Sequence, residues 1–416
     1  MISTRLAFGQ TLAKLGEQKP NLVVLDAEMS NSTFTNLFQE KFPDRFVQCF
    51  ISEQNMISTA LGLNLGGFVP VCATFAAFLT RCFDQIRMSQ YTFPKTNLKI
   101  AGSHCGVSIG TDGPSQMALE DIAMFATVHD SIILYPSDEV SAKELTKIFV
   151  EHFGIGYLRL TRDETASLYT TDQNPSSNQN ENPDLKPHSF KIGGSYLWKS
   201  YKNPLEKLEE TEMVGKGEKN LEKNSKITPK ITLISAGITL HECLKVREKL
   251  ENVAVLDLYS IKPVDELAVL RTALASEMLI TVEDHYYFGG INSIVNAFLG
   301  QFNIPHLKEK VQTYKQNNQQ NSQQNNKNKE VNDELFELIS LIKANLSQFT
   351  IQKIDEEMSQ NPDFWQVYFQ SFEVCLEFLG IRSLCVKEIP RSGSKEKLLE
   401  FCKIDSQAII SLINES

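Results

Sequence analysis

A succession of short, unbroken apolar runs constrains the fold of this chain more than any other feature. They fall at 21–26 (N-L-V-V-L-D), 47–51 (V-Q-C-F-I), 68–72 (F-V-P-V-C), 98–101 (L-K-I-A), 131–135 (S-I-I-L-Y) and 155–160 (I-G-Y-L-R-L). A strand with one wet face alternates apolar and polar residues, whereas an unbroken apolar run marks a strand covered on both faces. Helical patterns at about 54–65, 75–91, 115–127 and 138–152 lie between the runs, the last with Ser137 or Asp138 as its cap. The predicted architecture is a doubly wound α/β layer with a mostly parallel sheet, in which ligands gather beyond the carboxyl ends of the strands. Glu53, His104 and Arg162 each stand just past a predicted strand end, so the fold lets them converge.

After Asp163 the composition changes. Residues 172–229 are dominated by Asn, Gln, Ser, Pro, Lys and Glu, and read as a linker with a polar insert, within which 189–198 can form a local strand. A second α/β unit begins at 231–237 and continues with strands at 253–259 and 278–285, separated by helices at about 239–251, 263–275 and 290–300. The Asn/Gln-rich stretch 316–329 is low in complexity and is expected to be disordered. Helical patterns at 333–347 and 363–379 follow, and read as a surface insertion.

Composition excludes several function classes. The chain has 416 residues and a net charge of −10, from 51 acidic against 41 basic side chains, which argues against a nucleic-acid or anionic-membrane partner. None of the eight cysteines (49, 72, 82, 105, 243, 375, 385, 402) forms a C-x-x-C pair, and several sit in apolar runs. They read as buried free thiols in a reducing compartment, and the expected location is the cytoplasm. The N-terminus reads as an amphipathic helix with Leu6, Ala7, Leu12 and Leu15 near one face; it lacks the apolar core of a signal peptide, and no later run reaches the length of a membrane span.

The loop from Gly102 to Asp121, G-S-H-C-G-V-S-I-G-T-D-G-P-S-Q-M-A-L-E-D, lets backbone approach a ligand closely and runs into a helix start at Ser115. With F-I-S-E-Q-N-M at 50–56 and A-T-F-A-A-F at 73–78, it resembles the pyrimidine-binding domain of transketolases through most of residues 1–165. The run T-V-E-D-H-Y-Y-F-G-G (281–290) resembles the third domain of that family, whose pattern resumes at V-K-E-I-P-R-S-G (386–393). The resulting division is a pyrimidine-binding domain at 1–165, a linker at 166–230, a transketolase-like C-terminal domain at 231–305 and 383–416, a low-complexity segment at 306–332 and a helical insert at 333–382.

The resemblance implies thiamine diphosphate as cofactor and Glu53 as the catalytic glutamate, a carboxyl held against N1′ of the aminopyrimidine. It places Phe78 against that ring, Phe75 on the same wall and Gln116 nearby. Ser32, His104 and Arg162 match positions that contact substrate, with a sugar phosphate as target, and Asp112 matches one that bonds a substrate hydroxyl. Arg159, inside a strand, is a weaker candidate. Read without the family, the same residues are ordinary. Glu53 is a first-turn helix residue behind a Ser52 cap, Gln116 an ordinary first-turn helix residue, and Phe75 and Phe78 are core. Ser32 is then a cap, His104 a satisfied loop histidine, Asp112-Gly113 a turn, and Arg162 a surface partner of Asp163.

In the family, a separate domain with a G-D-G motif holds the diphosphate and its divalent cation (Mg or Ca), and no G-D-G occurs in this sequence. The resemblance therefore implies transfer of a two-carbon ketol unit from a ketose phosphate to an aldose phosphate, performed with a second chain that supplies that domain, with or without self-association. The alternatives are a catalytically inactive fragment or scaffold with the same fold, and a 2-oxo-acid dehydrogenase β-subunit, which shares fold and cofactor but has no use for a phosphate grip. Glu283-Asp284-His285 imitates part of a triad, yet adjacent strand residues point apart. Gly289-Gly290 opens a helix and is a weak anion signal.

Overall fold

The computed structural model describes residues 1–92, 96–170, 186–198, 231–323, 329–371, 374–375 and 377–415. The first apolar runs become β1 (Leu22–Asp26), β2 (Phe46–Gln48), β3 (Val69–Phe75), β4 (Lys99–Ser103), β5 (Ile132–Leu134) and β6 (Gly156–Arg159). After the short pair β7 (Tyr169–Thr170) and β8 (Lys186–Pro187) come β9 (Tyr196–Trp198), β10 (Ile231–Ser235), β11 (Val253–Asp257), β12 (Ser260–Lys262), β13 (Met278–Tyr286) and β14 (Gly380–Val386). Among the described residues these build a seven-stranded sheet, β12-β5-β6-β4-β3-β1-β2, and a five-stranded sheet, β14-β13-β10-β11-β9. Pairing is parallel throughout both sheets except at β12–β5 and β11–β9.

The expected double-wound α/β class is therefore the observed one, for the expected reason. Every residue of β1, β4, β6 and β10 is buried, so these strands have no wet face to encode. The helix Glu139–Glu151 starts at Asp138, whose carboxylate accepts from Ser141 N while Ser141 Oγ accepts from Asp138 N, a reciprocal cap. The strand expected within 189–198 exists as β9, pairing antiparallel with β11; most of the predicted linker lies outside the described residues.

Two predicted helices are displaced. The pattern at 75–91 is three things: β3 ends at Phe75, Ala76–Cys82 is a 3-10 segment, and the α-helix spans Phe83–Thr92. The pattern at 115–127 yields a 3-10 turn at Pro114–Gln116, and the helix begins at Asp121. Gly113, at φ +88, and Pro114 impose the turn first.

The C-terminal insertion is more ordered and more embedded than its composition suggests. A helix runs from Ile304 to Gln323, through much of the stretch expected to be disordered; residues 324–328 are not described. Gln is a competent helix former, and Leu307, Val311 and Tyr314 give the preceding turns a buried face. Helices Lys329–Lys343, Gln348–Gln360 and Phe364–Gln370 follow, the middle one unanticipated. Leu338, Ile342, Ile354, Trp365 and Phe369 join the same apolar cluster as Leu270, Leu274, Val295 and Phe298. These helices complete a core rather than decorate a surface.

The two sheets share a buried seam. Arg159 at the end of β6 donates to Asp121 Oδ2 (2.8 Å) and to Asp284 Oδ1 (2.8 Å) of β13, with its guanidinium 4.5 Å from the Tyr135 ring centroid. Tyr135 and Tyr157 donate to Asp284 and Asp121 respectively. Backbone comes close enough here that side chains are excluded: a Cβ on Gly106 would lie 1.6 Å from Asp284 Oδ2, and one on Gly237 1.9 Å from the Tyr135 ring. Both glycines also hold positive φ, +70 and +61. The eight cysteines are free thiols.

Candidate active site at the strand ends

Glu53 follows β2 and is the first residue of the helix Glu53–Leu65, where a carboxylate meets the positive end of the helix. Its side chain is 2 % exposed. Ser52 occupies the cap position, but its hydroxyl makes no capping bond. The partner of Glu53 is instead Arg81, whose Nη1 donates to Oε2 at 3.0 Å. Arg81 comes from the 3-10 segment after β3, is itself half exposed, and holds its guanidinium 5.6 Å from the Phe78 centroid.

From there an aromatic column leads inwards. Phe78 stacks on Phe75 (centroids 5.4 Å, 19°), and Phe75 on His104 (3.7 Å, 23°). Because Phe75 ends a strand and Phe78 lies in a tight turn, their contact does not arise from helical spacing. His104 lies just past β4 at φ +59, buried, with Nδ1 2.8 Å from Ser103 Oγ. Burial, reinforced by the charges of Arg5 and Arg162, pushes its pKa down to about 3. It is therefore a neutral imidazole at any physiological pH, and the resemblance's phosphate contact there needs a hydrogen bond, not a cation.

The charged end of the site is built from three segments. Arg162, beyond β6, lies 3.5 Å from Asp112 Oδ1 and donates to the Ile109 carbonyl at 2.5 Å. Arg5 Nη1 donates to the Ser32 carbonyl (2.6 Å) and Nε to the Arg162 carbonyl (3.1 Å), so one side chain ties two expected site residues together. Asp26, at the end of β1, fixes the Ser32 loop by accepting from Met29 N, Thr33 Oγ1 and Thr35 Oγ1. Burial raises its pKa to about 6, against the pull of those bonds. Beside this cluster a cleft of about 440 Å³ is lined by Arg5, Ile109, Arg162, Asp163 and Lys395 among others. Gln116 ends the 3-10 turn and is partly exposed.

Glu53, Phe75, Phe78, His104, Asp112, Ser32 and Arg162 thus fall along the carboxyl ends of β2, β3, β4, β1 and β6. Arg159 does not: fully buried between Asp121 and Asp284, it cannot meet a ligand. The weaker candidate within the strand points from the sheet into the seam. Asp284 points away from its neighbours into the seam, as expected for adjacent strand residues, while Glu283 and His285 share the opposite face beside Gly290. Glu283 accepts from Ile291 N (2.5 Å) and Asn292 N (3.2 Å), filling the helix N-terminus behind Gly290 with the chain's own carboxylate. His285 accepts from Ala123 N at Nε2.

Arg5 and Arg81 are the residues that sequence reasoning missed. Arg5 had a signal: a cation in the first turn of a helix opposes the dipole, so it is placed there for another purpose. Arg81 was a lone cation directly behind an apolar run.

Phe75 is covered by Phe78 and His104, so Phe78 and the Glu53 carboxylate are the outer groups of this column, one offering a ring face and the other an acceptor edge. Among the described residues no group of three or more His, Cys, Asp and Glu side chains could hold a metal ion.

Comparison with known proteins agrees with this architecture. Residues 1–167 match the description "Transketolase, pyrimidine binding domain", and residues 220–320 "Transketolase, C-terminal domain". The first of these domains is one that implies thiamine diphosphate. The chain belongs to the transketolase family. It is 41 % identical over 302 residues to transketolase of Homo sapiens and 40 % identical over 307 residues to transketolase-like protein 2 of Mus musculus, covering 71 % and 72 % of this chain. It spans less than half the length of these relatives, 42 % of each. Among solved structures, a chain described as a split gene transketolase, inactive beta4 tetramer, superposes with a TM-score of 0.64 at 23 % identity, covering all of this chain and 98 % of that one. Transketolase from Campylobacter jejuni gives 0.61 at 14 % identity, covering 47 % of that chain. Nothing in these comparisons favours a 2-oxo-acid dehydrogenase. Among the described residues no helix is long and apolar enough to cross a membrane.

Proposed function

We propose that this chain is the pyrimidine- and substrate-binding part of a two-chain transketolase, transferring a two-carbon ketol unit from a ketose phosphate to an aldose phosphate. A second chain supplies the diphosphate domain and its divalent cation. The observation that carries this reading is the continuous line of Glu53, Phe78, Phe75, His104 and the Arg5–Arg162–Asp112 cluster. It has a carboxylate and a ring wall at one end, and cations for a phosphate at the other. When bound, thiamine diphosphate supplies the nucleophilic carbon and the electron sink needed to cleave the ketose beside its carbonyl.

The chain's own residues have separable tasks. Glu53 would face N1′ of the ring with its buried carboxyl and exchange a proton with it there. Phe75 and Phe78 orient the ring. Arg162 and Arg5 supply planar donors for the phosphate, which Lys replacements would match less well. His104, engaged through Nδ1, offers Nε2 to the substrate as a neutral partner. Asp112, held by Arg162, is the acceptor for a sugar hydroxyl. The tetrameric neighbour is described as inactive, which supports the view that a chain of this kind needs its complement.

The test is Glu53→Gln in the assembled two-chain enzyme, after pull-down identifies the second chain by mass spectrometry. Turnover should fall by about a hundredfold to ten-thousandfold, with the folded chain unchanged in circular dichroism. Near-normal turnover would reject the assignment of Glu53, and recovery of this chain alone would reject the two-chain arrangement.

A further inference from the structure

We infer that Arg81 is a stand-in for the aminopyrimidine: it occupies the ring's two contacts, the Glu53 carboxylate and the Phe78 face, and must leave them before the ring can bind. The inference rests on the functional reading above and adds a residue which that reading leaves without a role. Three observations carry it. The guanidinium donates to Glu53 Oε2 at 3.0 Å, the atom set that the ring edge would use. It lies 5.6 Å from the Phe78 centroid, within the range of a cation on an aromatic face. Finally, the two partners differ sharply in exposure, Glu53 at 2 % and Arg81 at 50 %.

A guanidinium is planar and carries N–H donors along its edge, so it reproduces both the stacking and the hydrogen-bonding of an aminopyrimidine better than an ammonium could. A carboxylate removed from water needs a partner, and Arg81 provides one while the ring is absent. Because Arg81 is half in solvent, its side chain can swing out while Leu79 and Cys82 on either side stay buried. The arrangement keeps Glu53 pointed and satisfied at the cost of weaker ring binding, since every binding event must first break the pair.

The full chain can be titrated with 4-amino-5-hydroxymethyl-2-methylpyrimidine, a probe that reports ring binding without the diphosphate domain, by ligand-observed NMR. Arg81→Met should bind it roughly fivefold tighter than wild type, as expected for removal of a half-exposed competing pair. Arg81→Lys should fall between the two, because a lysine can pair with Glu53 but cannot stack on Phe78. In a Glu53→Gln background the gain from Arg81→Met should vanish. Equal or weaker binding by Arg81→Met would overturn the stand-in while leaving the ring site intact, provided Glu53→Gln still weakens binding. If wild type and Arg81→Met both fail to bind the probe, or bind it regardless of Glu53→Gln, the stand-in and the assignment of the ring site fall together.

Discussion

Arg159 and Arg81 each meet buried carboxylates, yet one is sealed and the other half open. Arg159 is wholly buried, bridges Asp121 and Asp284, lies over Tyr135 and donates to two backbone carbonyls as well. Every charge in that knot has a partner, and the partners come from both sheets. Arg81 has one carboxylate, one ring face and open solvent. The first arrangement has no room for a ligand and fixes how the two units meet; the second is an interaction that can be exchanged for another. Burial of a charge is thus no sign of function by itself. What distinguishes a site here is a buried carboxylate whose one charged partner among the described residues can leave.

The largest effect expected from this comparison is on stability. Arg159→Met leaves Asp121 and Asp284 buried and unpaired, and should cost about 3–5 kcal/mol in a urea titration. Arg81→Met strands one buried carboxylate rather than two, with a half-exposed neighbour through which water can reach it, and should cost less in the same titration, about 1–2 kcal/mol. Similar losses from both would erase the contrast. Arg162→Ala, at the phosphate end, should raise KM for a ketose phosphate about tenfold in the assembled enzyme with kcat little changed, because its contact is made equally before and during the reaction. A loss confined to kcat would place Arg162 at the reacting carbon instead.

A further prediction is a pH slope. His104 is held neutral in the fold, near 3, whereas in the unfolded chain it titrates near its ordinary value of ~6.5. Below that value the unfolded chain therefore binds the extra proton, and stability contributed by neutral His104 is intact above it and falls as the pH drops towards 3. Between pH 7 and pH 5 the wild type should lose roughly 1–2 kcal/mol more than His104→Gln in paired urea titrations. Parallel slopes would mean that His104 is solvated rather than packed against Phe75.

Most of the strand framework was legible because burial on both faces leaves an uninterrupted apolar signature, as in β1 and β4. Helix starts were legible where a local cap writes them, as Asp138 does, and illegible where backbone geometry intervenes first. Gly113 and Pro114 delayed one helix to Asp121, and the strand character of 69–75 displaced another. Within the site, Glu53, His104 and Arg162 were legible through strand-end position and resemblance. Arg81 and Arg5 were not, since their roles depend on contacts between segments with no shared local pattern. Helices near 333–347 and 363–379 were legible, but the one through 316–323, the one at 348–360 and the docking of all of them were not, because polar faces dominate their composition while a few residues, Trp365 and Phe369 among them, anchor them to the core.

Strand β12 has a consequence for the order in which this protein is made. Ser260 pairs with Leu134, so the strand that closes one edge of the first sheet is encoded far downstream of its neighbour. At about 5–20 residues per second, a ribosome would need on the order of ten seconds to deliver it. During that interval β5 leaves the exit tunnel as an open, apolar edge, the kind that recruits other chains. Until then the first half of the nascent chain presents a strand edge that only the second half can cover.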